Sequence, residues 1–425
     1  MGGHAMIPTA AGTGQPLTEP PRMYPALHKN RVFLLLFSAS TLSVLGNAFH
    51  ALALSLWVLQ ETGSARMMSV LTISNLLLCS LLGSVTGTLA DRMNRRTLIL
   101  CSYLVQSLTV LAIAFTLTLQ SPSYILIICL TGIVTAAGQF QAPAFQASLL
   151  PVVGKTYIQQ AAGWMTLSEN ISRTTGYALG GIFVAAFGGA WAVFVDGMTF
   201  MLAFLLVAAA GAFAAYTPVT TAHRSFKQDV AGGFRYIWSH SFARSILILL
   251  PVLTMFFLSC LMLTQVMAVQ VWKASPLQFG LLESSIPLGY MLGSGLIILA
   301  GSRLKQRGKV ISASLLLLGP LYLLLSFTSS MNTALPVILL IGFTFSFSTL
   351  LINIILRLEV PEELQGRMFG VLGSLMSVAP PLGLAVFSAG ADVFGVSQVL
   401  AAAGALLSLF GTAAVLTLKQ IRRYK

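Results

Sequence analysis

Val32-Phe-Leu-Leu-Leu-Phe-Ser-Ala-Ser-Thr-Leu-Ser-Val-Leu-Gly-Asn-Ala-Phe-His-Ala-Leu-Ala-Leu-Ser-Leu-Trp-Val-Leu59 contains no Asp, Glu, Lys or Arg. A helix needs about 20 mostly apolar residues to cross the hydrocarbon of a bilayer, and this run is longer. Ile246 to Val269 forms a second such run. Away from water every backbone N–H and C=O must find a partner within a helix or a closed barrel. Barrel strands alternate apolar and polar residues over segments of about 10. These runs are continuous, so the chain reads as membrane-spanning helices.

The remaining sequence has the same character. Of 425 residues, 56% are hydrophobic and 8% charged, where a soluble domain carries roughly 25% charged residues. Breaks at charged or Pro/Gly-rich points divide it into twelve spans, at 31–58, 66–90, 97–119, 123–146, 163–187, 190–214, 245–270, 279–300, 310–328, 334–356, 368–390 and 397–418. Thr217 to Arg244, the longest internal polar segment, separates six from six. The expected organisation is a disordered cytoplasmic tail at 1–30, a six-helix bundle at 31–214, a cytoplasmic linker at 215–244, a second bundle at 245–418 and a basic tail at 419–425. The first tail is rich in Pro, Gly and Thr and lacks the apolar core of a signal peptide.

The formal net charge is +13, but its distribution argues against a nucleic-acid partner, which would want one continuous basic face. Lys and Arg gather in every second loop: near Lys29 and Arg31, at Arg92, Arg95 and Arg96, at Lys155, from Arg224 to Arg244, from Arg303 to Lys309, at Arg357 and Arg367, and from Lys419 onward. The other loops hold little beyond Arg66 and Lys273. By the positive-inside rule both termini are cytoplasmic, in a multi-pass inner-membrane protein. Cys79, Cys101, Cys129 and Cys260 lie in apolar runs without CxxC spacing, so neither a disulfide framework nor a metal site is expected.

Gly87-Thr-Leu-Ala-Asp91-Arg92-Met-Asn-Arg95-Arg96 follows the second span, and Gly301-Ser-Arg-Leu-Lys305-Gln-Arg-Gly-Lys309 follows the eighth, at the same place in its own half. Such duplication suits two bundles that tilt about a midplane site. Gly87 permits close helix approach. Asp91 at a helix end suits the positive N-terminus of a helix from the other half, with Arg92 and Arg95 holding it. Topology anchoring alone accounts for the arginines but not for Asp91.

This decapeptide resembles the loop-2/3 motif of the major facilitator superfamily, with Asn94 where glycine is common; Asn tolerates a left-handed turn. The resemblance implies an all-α membrane protein of twelve helices in two pseudo-symmetric six-helix bundles. It also implies a cytoplasmic gate of Gly87, Asp91, Arg92 and Arg95 against the start of span eleven at Gly366 and Arg367. Phe194-Val-Asp196-Gly-Met-Thr-Phe200, Asp229-Val-Ala-Gly-Gly233-Phe-Arg235, Val360-Pro-Glu-Glu-Leu-Gln-Gly366-Arg367 and Glu61-Thr-Gly-Ser-Ala65 resemble the macrolide-efflux and enterobactin-exporter branch. Gly176-Tyr-Ala-Leu-Gly180-Gly181 resembles the antiporter motif of span five, with Tyr177 in place of its proline; ordinary helix packing explains the glycines equally well. The span-four arginine of many drug–proton antiporters is absent from Leu130-Thr-Gly-Ile-Val-Thr-Ala-Ala-Gly138.

A charge at membrane depth costs at least ~2.5 kcal/mol and needs a reason. Asp196 and Glu283 are candidate proton carriers or hydrogen-bonding residues of an outer gate. Glu169 and Arg173, four apart, suit a buried structural pair. Asn47 and His50 are candidates for lining a cavity. Gln141, Trp164, Gln265 and Asn353, with the Phe and Met side chains, suit an adaptable pocket for a bulky amphipathic solute. Without a GxxxxGK[ST] phosphate loop, HExxH or GxSxG, neither ATP coupling nor enzymatic chemistry is expected. The expectation is a monomeric, cofactor-free exporter of an antibiotic or siderophore by proton antiport, with protons, the solute and membrane lipid as partners. Lysophospholipid transport and a non-transporting receptor remain as alternatives.

Overall fold

The computed structural model describes residues 25–90, 93–211, 241–301, 306–360 and 362–418. The tail up to 24, the Asp91 and Arg92 positions, most of the linker, 302–305 and the tail from 419 lie outside the described residues.

Among the described residues eleven helices follow one another: α1 (Arg31–Thr62), α2 (Ala65–Ala90), α3 (Arg95–Leu117), α4 (Tyr124–Phe187), α5 (Gly189–Ala209), α6 (Ser241–Gln270), α7 (Pro276–Ala300), α8 (Arg307–Ser326), α9 (Met331–Glu359), α10 (Glu362–Phe394) and α11 (Val396–Thr417). All eleven are long and apolar enough to cross a membrane. The difference from the twelve expected spans lies in α4, whose 64 residues carry non-helical torsions at Gly154 (φ 71°, ψ 170°). Spans 123–146 and 163–187 are its two limbs, each longer than expected, and they meet at the Gly154 kink where the backbone leaves the helical torsions.

Local chemistry sets the helix ends. The Asn30 side chain accepts from the Phe33 N–H at 3.1 Å, capping α1, and Gly63 ends it at φ 57°. Asn94 is extended (φ −64°, ψ 112°) and caps α3 by accepting from the N–H groups of Arg96 and Thr97. Its value in the basic turn is therefore a side-chain acceptor and not the left-handed tolerance expected of it. At α7, Ser275 and Gln278 form a reciprocal capping box ahead of Pro276.

The packing repeats with a period of six spans. In the first group of helices α3 packs on α5 and α2 on α4; in the second, α8 packs on α11 and α7 on α9. The two most extensive contacts between the groups are α4 with α7 and α2 with α10. A two-fold relation between the groups exchanges these contacts, because the span after α4's break corresponds to α10 and α2 corresponds to α7. Large apolar side chains such as Ile125, Leu299 and Phe327 point outward at 73, 84 and 75% exposure, as a lipid solvent permits.

Candidate functional site

Among the described residues, close approach of the two groups is concentrated at one end, where the α1–α2 turn lies. Asp392, in the last turn of α10, accepts from the Ser64 hydroxyl at 2.7 Å, the Ala65 N–H at 2.8 Å and the Arg66 N–H at 3.4 Å. The Arg66 guanidinium Nε lies 3.6 Å from the same carboxylate, and its Nη2 donates to the Ala389 carbonyl at 3.3 Å. A carboxylate there meets the unpaired N–H groups and positive dipole of the α2 N-terminus. The Gln270 side chain donates to the Gly63 carbonyl at 2.6 Å, and the Ser69 and Ser388 hydroxyls are 2.8 Å apart. Nearby, a Cβ at Gly181 would come 2.7 Å from the Pro276 carbonyl oxygen and 2.9 Å from Gly280 Cα, so α4 and α7 touch backbone to backbone.

Away from this seal the groups diverge around a cavity of about 320 Å³ lined by His50, Asn75, Tyr177, Leu261, Gln265 and Glu283. A neighbouring hollow of about 260 Å³ shares Tyr177, Leu261 and Glu283 and adds Arg173, Phe257, Tyr290 and Phe345. Glu283 accepts from the Gln265 amide at 2.9 Å across α6 and α7. Opposite, His50 Nδ1 lies 3.3 Å from Asp196 Oδ2. Asp196 is fully buried between α1 and α5. Its space exists because residue 46 is glycine, where a Cβ would come within 2.5 Å of Asp196 Oδ1. The Thr199 hydroxyl donates to the Asp196 carbonyl at 2.8 Å and lies 3.4 Å from Oδ1. His50 and Asp196 face each other off the alignment of a strong hydrogen bond.

Several expected residues therefore come together: His50, Asp196 and Glu283 around the cavity, with Arg173 beside Glu283. The Glu169–Arg173 pair exists at 2.8 Å, but its side chains are 53 and 50% exposed, so it faces the hollows instead of being buried as expected. Asn47 lines a separate cavity with Gln141 and Glu169. Gly176 faces Ala48 and Leu45 of α1, and Gly180 faces Phe49. Of the expected gate, Asp91 and Arg92 lie outside the described residues, as do the surroundings of Gly87, Gly366 and Arg367. Arg95 donates to the Ala147 carbonyl at 2.9 Å, tying α3 to α4. The sequence reading missed Asp392 and Gln106.

A family model described as a transmembrane secretion effector matches residues 24–424. The multidrug efflux pump Tap of Mycolicibacterium fortuitum is 25% identical, with 90% of this chain and 95% of that protein aligned. Macrolide efflux protein A of Streptococcus pyogenes is 21% identical over 88% and 93% of the two chains. Among solved structures, a bacterial homologue of the human lysosomal transporter Spinster, inward-facing and unoccupied, superposes with a TM-score of 0.74 at 12% identity, covering 93% of this chain and 99% of that one.

Proposed function

Because the chain belongs to the transmembrane secretion effector family of major facilitator transporters, we propose that it exports an amphipathic small molecule, of the antibiotic or siderophore kind, by alternating access coupled to inward proton movement. Most weight rests on one observation: a cavity between the helix groups has Glu283 on one wall and His50, backed by Asp196, on the other, while one end is sealed. The aromatic lining from Phe257, Tyr290 and Phe345 suits an apolar body. The efflux pumps among the relatives favour outward transport of such solutes.

The sparse charge near Arg66 and Lys273 supports an orientation with the sealed end outside; in this reading the cavity is open toward the cytoplasm, the state named for the Spinster homologue. Residues 31–214 and 245–418 then act as the two tilting bundles. When they tilt, Asp392 leaves the α2 N-terminus, and Asp91 engages the start of α10 near Gly366 and Arg367. The same two helices are thereby latched at alternate ends by one carboxylate each. Glu283, beside the solute, and Asp196, reached through His50, take up protons from outside and release them inside. Solute and proton exchange places because both need the Glu283 wall.

The test uses inside-out proteoliposomes with an acidic lumen and a fluorescent amphipathic dye such as ethidium. Accumulation that a protonophore collapses, and that falls at least about tenfold in Asp196→Asn and Glu283→Gln, is expected. Dye binding without accumulation identifies a receptor instead. Accumulation indifferent to the pH gradient removes the proton from the mechanism.

A further inference from the structure

A third cavity, of about 320 Å³, lies within the first helix group alone. Its wall is drawn from four helices and is rich in neutral hydrogen-bonding groups: Ser43, Asn47, Gln106, Gln141, Gln146 and Thr166. Gln106 is buried, donating to the Ser102 carbonyl at 3.1 Å and to Gln141 Oε1 at 2.6 Å, which fixes both amides. Behind them the fully buried Tyr103 hydroxyl, beside Ser43 and Gln141, has no aligned partner. Glu169 also reaches this wall. It is bound to Arg173, which lines the aromatic hollow between the groups. The ion pair thus has one member in each space.

We infer that this cavity is a head-group subsite for an uncharged polyhydroxyl moiety, such as a glycosyl ring, of a solute whose apolar body lies against Phe257, Tyr290 and Phe345. The assignment rests on the exporter reading and specifies its substrate class. An ionised head finds no unpaired counter-charge, because Glu169 is already neutralised by Arg173. An apolar head strands the fixed amides of Gln106 and Gln141, which a buried site penalises. Hydroxyls that both donate and accept match amides and hydroxyls that do the same. The volume falls at the lower end of the ~300–1,000 Å³ typical of small-molecule sites, enough for one ring and not for the whole solute.

Equilibrium dialysis against the full chain in lipid nanodiscs compares 4-methylumbelliferyl β-glucoside with 7-methoxy-4-methylcoumarin, which keeps the aromatic body and loses the sugar. The unaltered protein is expected to bind the glucoside about tenfold more tightly. Gln141→Leu shrinks that preference to about twofold or less while methoxycoumarin binding is unchanged, whereas Phe345→Ala weakens both probes. Gln146→Leu and Thr166→Val, at exposed lining positions, give the same loss of preference if Gln141→Leu does not fold. Equal binding of the two probes by the unaltered chain, or a preference that survives all three polar substitutions, overturns the subsite. Dye accumulation in the proteoliposomes is unaffected by that outcome, so the failure leaves the exporter reading standing.

Discussion

The two ends of the α2–α10 pair are chemically unlike. At the α1–α2 turn, Asp392 binds backbone N–H groups of Ala65 and Arg66, a serine hydroxyl and a guanidinium. At the other end the sequence places Asp91 among Arg92, Arg95 and Arg96, with the start of α10 as its proposed counterpart. The first end uses a helix N-terminus, whose partial charge is fixed to the backbone, and the second has a cluster of arginine side chains in the sequence. A latch on a helix terminus is short-ranged, effective within the first turn, and lost abruptly once the helix moves. That abruptness is what a two-state device needs, because the closed end contributes nothing to the open state.

The largest effect is expected from making the closed end permanent. In a chain whose four cysteines are replaced, Ser69→Cys with Ser388→Cys brings two thiols to positions where the hydroxyls stand 2.8 Å apart. Oxidation should abolish dye transport and reductant should restore it, because a covalent bridge across this contact holds the end shut. Transport that continues in the cross-linked protein breaks the claim that this end must open.

Next in size is Gly181→Ala. Its Cβ would press on the Pro276 carbonyl oxygen and Gly280 Cα, which are backbone and do not rotate away. Overpacking of this kind costs about 1–3 kcal/mol, here charged to the closed state alone. A reporter Thr72→Cys, on the cavity wall, should then react faster with an impermeant maleimide applied from the α1–α2 side. Asp392→Ala acts in the same direction by about 0.5–2 kcal/mol, the usual worth of a helix cap. Asp392→Asn should retain part of it, since an amide oxygen still accepts the Ala65 N–H. If neither Asp392 substitution changes labelling, the glycine crossing and the Gln270 and Ser69–Ser388 contacts hold this end shut without the carboxylate.

The helices, their number apart from the α4 join, and the duplication were legible because apolar length and charge alternation are properties of local sequence. The place of the kink in α4 was not, because helix continues through Pro143 and Pro151 and the break in torsions falls at Gly154. Asp196 and Glu283 were legible as charges at membrane depth, but the space for Asp196 depends on Gly46, 150 positions away in sequence. Asp392 left a signal that went unread: an aspartate in the last turn of a helix opposes the dipole of its own helix, which points to service of another. Gln106 left none, since a single glutamine in an apolar run becomes a wall only when Gln141 is folded beside it.

The smallest effect separates the backbone latch from its ion pair. The Arg66 side chain is 54% exposed and 3.6 Å from Asp392, a setting in which salt and lost side-chain freedom leave little net attraction. Arg66→Ala should therefore change reporter labelling by about twofold or less. Raising salt from about 0.1 M to 1 M shrinks the screening length from ~10 to ~3 Å and should erase that difference. The Asp392→Ala effect should persist at high salt, because its hydrogen bonds run to backbone N–H groups in direct contact. Should Arg66→Ala open this end as much as Asp392→Ala, the guanidinium would be the latch. The proposed likeness between the two ends of the α2–α10 pair would then rest on arginine at both.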